Sequence, residues 1–213
     1  MDSEKIDLTF LLAAVLLILL LEVIAAGISA KTDIPPLLLL GCIRLLQVIS
    51  LFFLAGKKSA GAAVLGLDRE NLVSGLKTGL IWSAAFAGVA AAGFSLLFLS
   101  GENPLLMIRT PIPRDGKTLF LFFAVGGIIA PIAEELFFRG IVYGYLRRYG
   151  IATAVIASTL IFTVFHTSAI VPVTQIIGGI VFALSYEYGK NLVAPITIHV
   201  LGNLSIFSLS LLS

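Results

Sequence analysis

Polar residues along this chain gather in a few short clusters, and long apolar stretches run between them. The stretches lie at about 8–29, 36–55, 79–100, 118–146, 151–170, 171–187 and 191–212. Most approach the roughly 20 residues that an α-helix needs to cross a bilayer's hydrocarbon. The runs are continuous and do not alternate, which excludes a β-barrel. With no water in the hydrocarbon to bond an open backbone, spanning segments must be helical. The pattern therefore predicts an all-α, polytopic transmembrane bundle of about seven helices.

The residues ahead of the first stretch include Asp2, Glu4 and Asp7 against Lys5. That is the wrong sign for a signal peptide, and the apolar run is too long. A retained transmembrane helix is expected. The connection 56–78 interleaves Val64, Leu65, Leu67, Leu72, Val73 and Leu76 with Lys57, Lys58, Asp68, Arg69, Glu70 and Lys77. It reads as a short amphipathic helix lying on the headgroups. The loop 101–117 carries Pro104, Pro111 and Pro113, which disfavour helix. No internal repeat or second domain is visible. Residues 1–213 read as one integral membrane domain, with three helices and the amphipathic connection in 1–117 and the chemistry in 118–205.

Composition sharpens this picture. Hydrophobic residues make up 59% of the chain and charged residues 12%, against about 25% charged in a soluble domain. A soluble globule this short could not hide that much apolar surface. The net charge of +2 shows no basic cluster beyond pairs, so nucleic acid is not expected as a partner. Cys42 is the single cysteine, so no intrachain disulfide forms, and it reads as a small buried packing residue. On a seven-span topology, Lys5, Lys57, Lys58, Arg69, Lys77, Arg147, Arg148 and Lys190 fall on the N-terminal side. Lys31, Arg109, Arg114 and Lys117 fall on the other. The excess of basic residues puts the N-terminus in the cytoplasm.

Ionisable residues inside apolar spans are costly and mark function by default. They concentrate in the second half: Glu134, Glu135 and Arg139 in the fourth stretch, His166 at the end of the fifth, His199 and Asn203 in the seventh. Glu135 and Arg139 are four apart and share a helix face, so they can pair. Glu134 points about 100° away, free for another partner. His199 and Asn203 share a face, as do Phe162 and His166. Counted at about 1.5 Å per residue from the cytoplasmic ends, Glu134 and His166 sit about 21 and 22 Å deep and His199 and Asn203 about 12 and 18 Å deep. Glu22 and Arg44 also lie in apolar spans and are expected to pair across the first two segments. Gly178, Gly179 and Ala183 form a face for close helix packing. Tyr143, Tyr186 and Tyr188 read as interfacial anchors.

The chemistry open to this set is hydrolysis. Glu134 can act as general base toward a water that His166 helps to hold, and His199 and Asn203 can donate hydrogen bonds to an oxyanion. A zinc set of Glu134, His166 and His199 with an open position for water is the alternative, although no H-E-x-x-H motif is present.

These residues also form three motifs in order. Glu134-Glu135-Leu136-Phe137-Phe138-Arg139 matches E-E-x-x-x-R, Phe162-Thr163-Val164-Phe165-His166 matches F-x-x-x-H, and His199-Val200-Leu201-Gly202-Asn203 matches H-x-x-x-N. Together they resemble the CPBP intramembrane proteases, the family of CAAX prenyl endopeptidases and bacteriocin-processing or immunity proteins. The resemblance covers about 118–205. The earlier helices match only in being hydrophobic. It implies that Glu134 is the base with His166 beside the water, that His199 and Asn203 form the oxyanion side, and that Glu135 and Arg139 support the helix. It further implies an endopeptidase of the glutamic type, with no cofactor required and zinc as the alternative. The expected partner is a protein or peptide substrate with a membrane-associated tail: a lipidated tail, a bacteriocin leader or a C-terminal sorting signal. The short chain suggests a prokaryotic plasma-membrane protein. Two rivals would use such residues otherwise. One is a non-proteolytic scaffold or immunity protein of the same fold. The other is a proton-coupled transporter, which would more often show repeated halves.

Overall fold

In a computed structural model, the described residues are 6–166 and 173–212. Lys5 of the charge count, and the ends of the fifth and sixth stretches within 167–172, lie outside them. Seven principal helices follow the apolar stretches: α1 Leu8–Ser29, α2 Pro36–Gly56, α3 Leu72–Leu99, α4 Gly116–Tyr149, α5 Ile151–Phe165, α6 Val173–Gly189 and α7 Val193–Ser210. No strand occurs among the described residues. Among the described residues, five helices are long and apolar enough to cross a membrane, α3 counting from Arg69. The exceptions are α5 and α6, with 15 and 17 residues. Large apolar side chains such as Phe53 and Val89 stand about 70% exposed on the outer faces (68% and 71%). Apolar surface on that scale is compatible with lipid as the solvent and not with water. The protein is an all-α integral membrane bundle.

Local chemistry sets the helix ends. Asp7 caps α1 by accepting from the Phe10 amide at 2.7 Å, and Asp115 caps α4 by accepting from the Thr118 amide at 2.9 Å. Gly150, at φ +105°, separates α4 from α5. Pro36 opens α2, where its missing N–H costs nothing.

The central element is α4, which packs against α1, α2, α5, α6 and α7. It is not a uniform α-helix. Two wider π-helical stretches, Val125–Ile129 and Leu136–Tyr143, flank the α-helical Ala130–Glu135. Pro131 accounts for the first: it has no N–H for the Gly127 carbonyl and its ring crowds that carbonyl, so the preceding turn opens. Such bulges are common at functional sites. The core lies around the second, where Leu136, Ile141 and Tyr143 are buried against residues of α1, α2 and α6.

Three expectations are corrected. The connection 56–78 is not an amphipathic helix on the headgroups. It forms two short 3-10 turns, Gly61–Leu65 and Arg69–Asn71, broken by Gly61 and Gly66 at positive φ. Its Val64 and Leu65 are buried in the core, the Leu192 amide donates to the Gly66 carbonyl at 2.8 Å, and Asn191 Nδ2 donates to the Asp68 carbonyl at 3.2 Å. Val64 and Leu65 therefore find protein in place of lipid, whereas Leu72, Val73 and Leu76 open α3 and stay exposed. Tyr143 and Tyr186 are not interfacial anchors but fully buried, edge to face at 5.7 Å. Only Tyr188 is exposed, stacked on Trp82. Cys42 is exposed, so it packs nothing.

Gly66 sets a test of this packing. Its φ of +80° is left-handed, and a Cβ there would overlap the Tyr186 phenol. Gly61 is also left-handed, at +52°, but has open space around it. Gly61→Ala should cost about 1–2 kcal/mol, the left-handed penalty alone, and Gly66→Ala clearly more. Thermal melts in detergent check this, and equal losses would contradict the docking of the 56–78 segment.

Candidate active site

The site is built on α4. Glu135 and Arg139 lie four residues apart across the start of the second π stretch, and both side chains have no exposed surface. Arg139 Nη1 donates to Glu135 Oε1 at 3.0 Å, and Nη2 donates to the Gly179 carbonyl at 3.2 Å. The guanidinium carbon lies 4.5 Å from the Phe162 ring centroid and 5.2 Å from that of Phe182. Aromatic faces supply the cation with favourable contact that a hydrocarbon wall would not. Gly179 lets α6 come close: a Cβ there would stand 2.8 Å from Thr159 Cγ2 of α5. The small-residue face expected at Gly178, Gly179 and Ala183 is thus a packing contact, with Ala183 fully buried.

The ion pair extends to α7. His199 Nδ1 meets Glu135 Oε1 at 2.7 Å, and its ring stacks on Phe182 with centroids 4.5 Å apart. A carboxylate paired with arginine only accepts, so the imidazole hydrogen sits on Nδ1 and Nε2 turns the other way. Nε2 lies 3.8 Å from Glu134 Oε2. From α5, His166 arrives in the same manner. Its Nδ1 is 2.8 Å from the Phe162 carbonyl, an acceptor, so Nδ1 again carries the hydrogen. Its Nε2 lies 3.4 Å from the same Glu134 Oε2. Two imidazole Nε2 atoms on two helices thus converge on one oxygen of a third.

Glu134 keeps 14% of its side chain exposed and His166 29%, whereas Glu135 keeps none. The double glutamate splits into a sealed member and an open one, in line with the 100° between neighbours. Asn203 is placed differently from the other three. Its Nδ2 donates to the Gly126 carbonyl at 2.9 Å, inside the first π stretch, which joins α7 to α4 one turn beyond His199. Its second N–H makes no bond to a described residue.

A metal is tested by the donor set. Tetrahedral zinc, with bonds of about 2.0–2.1 Å, spaces its donors roughly 3.3 Å apart. The His166–Glu134 spacing meets that, and the His199–Glu134 spacing is wider. Among the described residues, no three His, Cys, Asp or Glu side chains are gathered so as to hold a metal ion. Bonding of both Nδ1 atoms to acceptors is nonetheless the arrangement of metal-ligating histidines.

The polar cluster of α1 and α2 has a third member that the sequence reading missed. Arg44 Nη1 donates to Glu22 Oε1 at 2.6 Å, as expected of the pair, and also to Gln47 Oε1 at 2.8 Å. Gln47 Nε2 donates in turn to Glu22 Oε1 at 2.9 Å. Gln47, three residues after Arg44, was the available signal. Arg147 and Glu187 were also missed as a pair. They form a two-pronged ion pair, with both spacings 2.7 Å, joined by the Tyr143 hydroxyl.

Residues 116–205 match the family model of type II CAAX prenyl endopeptidase Rce1-like proteins. This chain is similar to that family over this segment, which is less than half of its length. The chain is also 35% identical, over 107 residues, to the membrane-embedded CAAX protease MroQ of Staphylococcus aureus (strain USA300). That alignment covers 46% of this chain and 40% of the relative, so the chain matches well under half of that protein's length. No solved structure matches. The family-matched segment starts at α4 and contains every residue of the three motifs, while α1 to α3 fall outside it.

Arg139→Ala tests the buried pair. It leaves the Glu135 carboxylate sealed without its cation, which should cost about 3–5 kcal/mol. Thermal or chemical unfolding in detergent reads this, and a melting point equal to the parent's would contradict the structural role.

Proposed function

We propose that this protein is an intramembrane endopeptidase. It would hydrolyse a peptide bond near the C-terminus, or in a membrane-adjacent part, of a membrane-associated protein or peptide. The observation that carries this reading is the convergence of His166 Nε2 and His199 Nε2 on Glu134 Oε2 at 3.4 and 3.8 Å. The match of residues 116–205 to the type II CAAX prenyl endopeptidase family model supports it. Lipidated tails, bacteriocin leaders and C-terminal sorting signals are the substrate classes in view, with the N-terminus in the cytoplasm of a prokaryotic cell.

In the proposed reaction, a water donates one hydrogen to Glu134 and the other to the bare Nε2 of His166. Its lone pair then points outward, toward a substrate carbonyl. Glu134 takes the proton as the water oxygen bonds to the carbonyl carbon. The negative oxygen of the tetrahedral species accepts from the free N–H of Asn203, and from His199 when both its nitrogens carry hydrogen. Glu134 returns the proton to the amide nitrogen, the C–N bond breaks, and an amine and a carboxylic acid leave, the acid then giving its remaining water-derived proton to solvent. Arg139 and Glu135 take no proton in this scheme; they hold His199 in place.

A zinc-dependent version of the same hydrolysis is the second reading, favoured by the outward-bonded Nδ1 atoms of both histidines. Zinc bound by Glu134, His166 and His199 would supply a more acidic water.

Glu134→Gln keeps the shape and removes the base. It should abolish cleavage of a membrane-anchored peptide, a loss of at least about 10²–10⁴-fold, with expression and melting point unchanged. Retained turnover would remove Glu134 from its role. A scaffold of this fold would lose nothing by the change.

A further inference from the structure

The helices α1 and α2 lie outside the family-matched segment, and the proposed reaction makes no use of them. They pack side by side and run antiparallel. Asp7, just ahead of α1, meets Lys58, just past the end of α2, and Glu22 meets Arg44 further along. Between the two helices lies a groove of about 380 Å³, lined by Ala13, Leu17, Ile49, Ser50, Phe53 and Leu54. Small-molecule sites run from about 300 to 1,000 Å³. The groove opens on the outer surface of the bundle, where Ile49 and Phe53 are exposed. Ala13 and Ser50 are the smallest of the six and leave the space between their larger neighbours. Only Ser50 brings a polar side chain, so the groove takes an apolar occupant.

One end of the groove is charged. Lys57 stands one turn beyond Phe53, about 6 Å along the helix axis. Its ammonium is bent back over the Phe53 ring, 4.9 Å from the centroid. A lysine at a helix end can extend its charge into water, yet this one is folded over a wall of the groove. It has no carboxylate partner among the described residues. Lys58 beside it is neutralised by Asp7. Arg148 reaches the same corner by donating to the carbonyl of Ile6, the neighbour of Asp7, and it too pairs with no carboxylate among the described residues. The groups tied together here are three cations and one carboxylate.

We propose that the α1–α2 groove is a binding site for an anionic phospholipid, with one acyl chain along Ile49, Ser50 and Phe53 and the phosphate at Lys57. A partner helix would need an acidic residue in register with Lys57, whereas a lipid brings the apolar chain and the anion in one molecule. The net positive corner favours a headgroup of net negative charge over a zwitterionic one. The site does not depend on the peptidase reading.

The test uses the full chain purified in neutral detergent, with dioleoyl phosphatidylglycerol or dioleoyl phosphatidylcholine added in turn. Native mass spectrometry counts bound lipid, and thermal melts read the stabilisation that binding brings. Phosphatidylglycerol should bind on the order of tenfold more tightly and give the larger rise in melting point. Lys57→Gln should lose most of that preference, and Lys57→Arg should keep it. Lys31→Gln, which removes a cation beyond the far end of α1, should bind like the parent. Ala13→Phe fills the groove with every charge in place and should weaken phosphatidylglycerol binding by a similar factor. If Ala13→Phe does not fold, Ser50→Phe on the facing wall takes its place. Equal binding of the two lipids would overturn the proposal. Equal losses in Lys57→Gln and Lys31→Gln would do so too, as the mark of non-specific charge attraction, and so would unchanged binding with the groove filled. A dimer that carries no bound lipid would give the groove to a second copy of the chain and refute the lipid site.

Discussion

The sealed Glu135–Arg139 pair is the constraint on which the rest of the site depends. Taking two charges out of water costs several kcal/mol per ion, and only good geometry repays it. Here the repayment comes from four helices at once. The carboxylate is on α4 with its arginine. The Gly179 carbonyl and the Phe182 ring come from α6, the Phe162 ring from α5 and the His199 ring from α7. None of these helices can slide without stranding a charge. The pair thus works as a fixed reference point, and His199 inherits its orientation from it.

Glu134 benefits from its neighbour's burial. One residue along the helix, it points away from the ion pair into the opening between α5 and α7. Two histidines, each held from behind through Nδ1, present their other nitrogen to it. The division between a sealed and an open glutamate follows from helix geometry, and the π stretches on either side adjust it. The opening at Pro131 makes room for Asn203 on the Gly126 carbonyl.

Much of this was legible in the sequence. Continuous apolar runs gave the helices, and the four-residue spacings of Glu135–Arg139 and His199–Asn203 gave the shared faces. The Glu22–Arg44 pair was readable because both ends were isolated charges in lipid. Other features were not legible, for physical reasons. Helical spacing places Asn203 beside His199 but does not reveal that a π turn has exposed a carbonyl to it. Val64 and Leu65 look the same in sequence whether their apolar face meets lipid or protein, and only tertiary contact decides. Tyr143 and Tyr186 have the amphipathic rings of interfacial anchors, yet Tyr143 gives its hydroxyl to Glu187 and both rings are sealed in the core. The aromatic cage around Arg139 draws on three helices and has no local signature.

The central claim of the proposed reaction is that Glu134 and His166 hold and activate the water without a metal, with His199 and Asn203 on the oxyanion side. The most direct measurement is elemental analysis of purified, active protein, with activity assayed before and after exhaustive chelation. Full activity in metal-free protein is the predicted result. Stoichiometric zinc, whose removal abolishes cleavage and whose return restores it, would contradict the account and make Glu134, His166 and His199 its ligands.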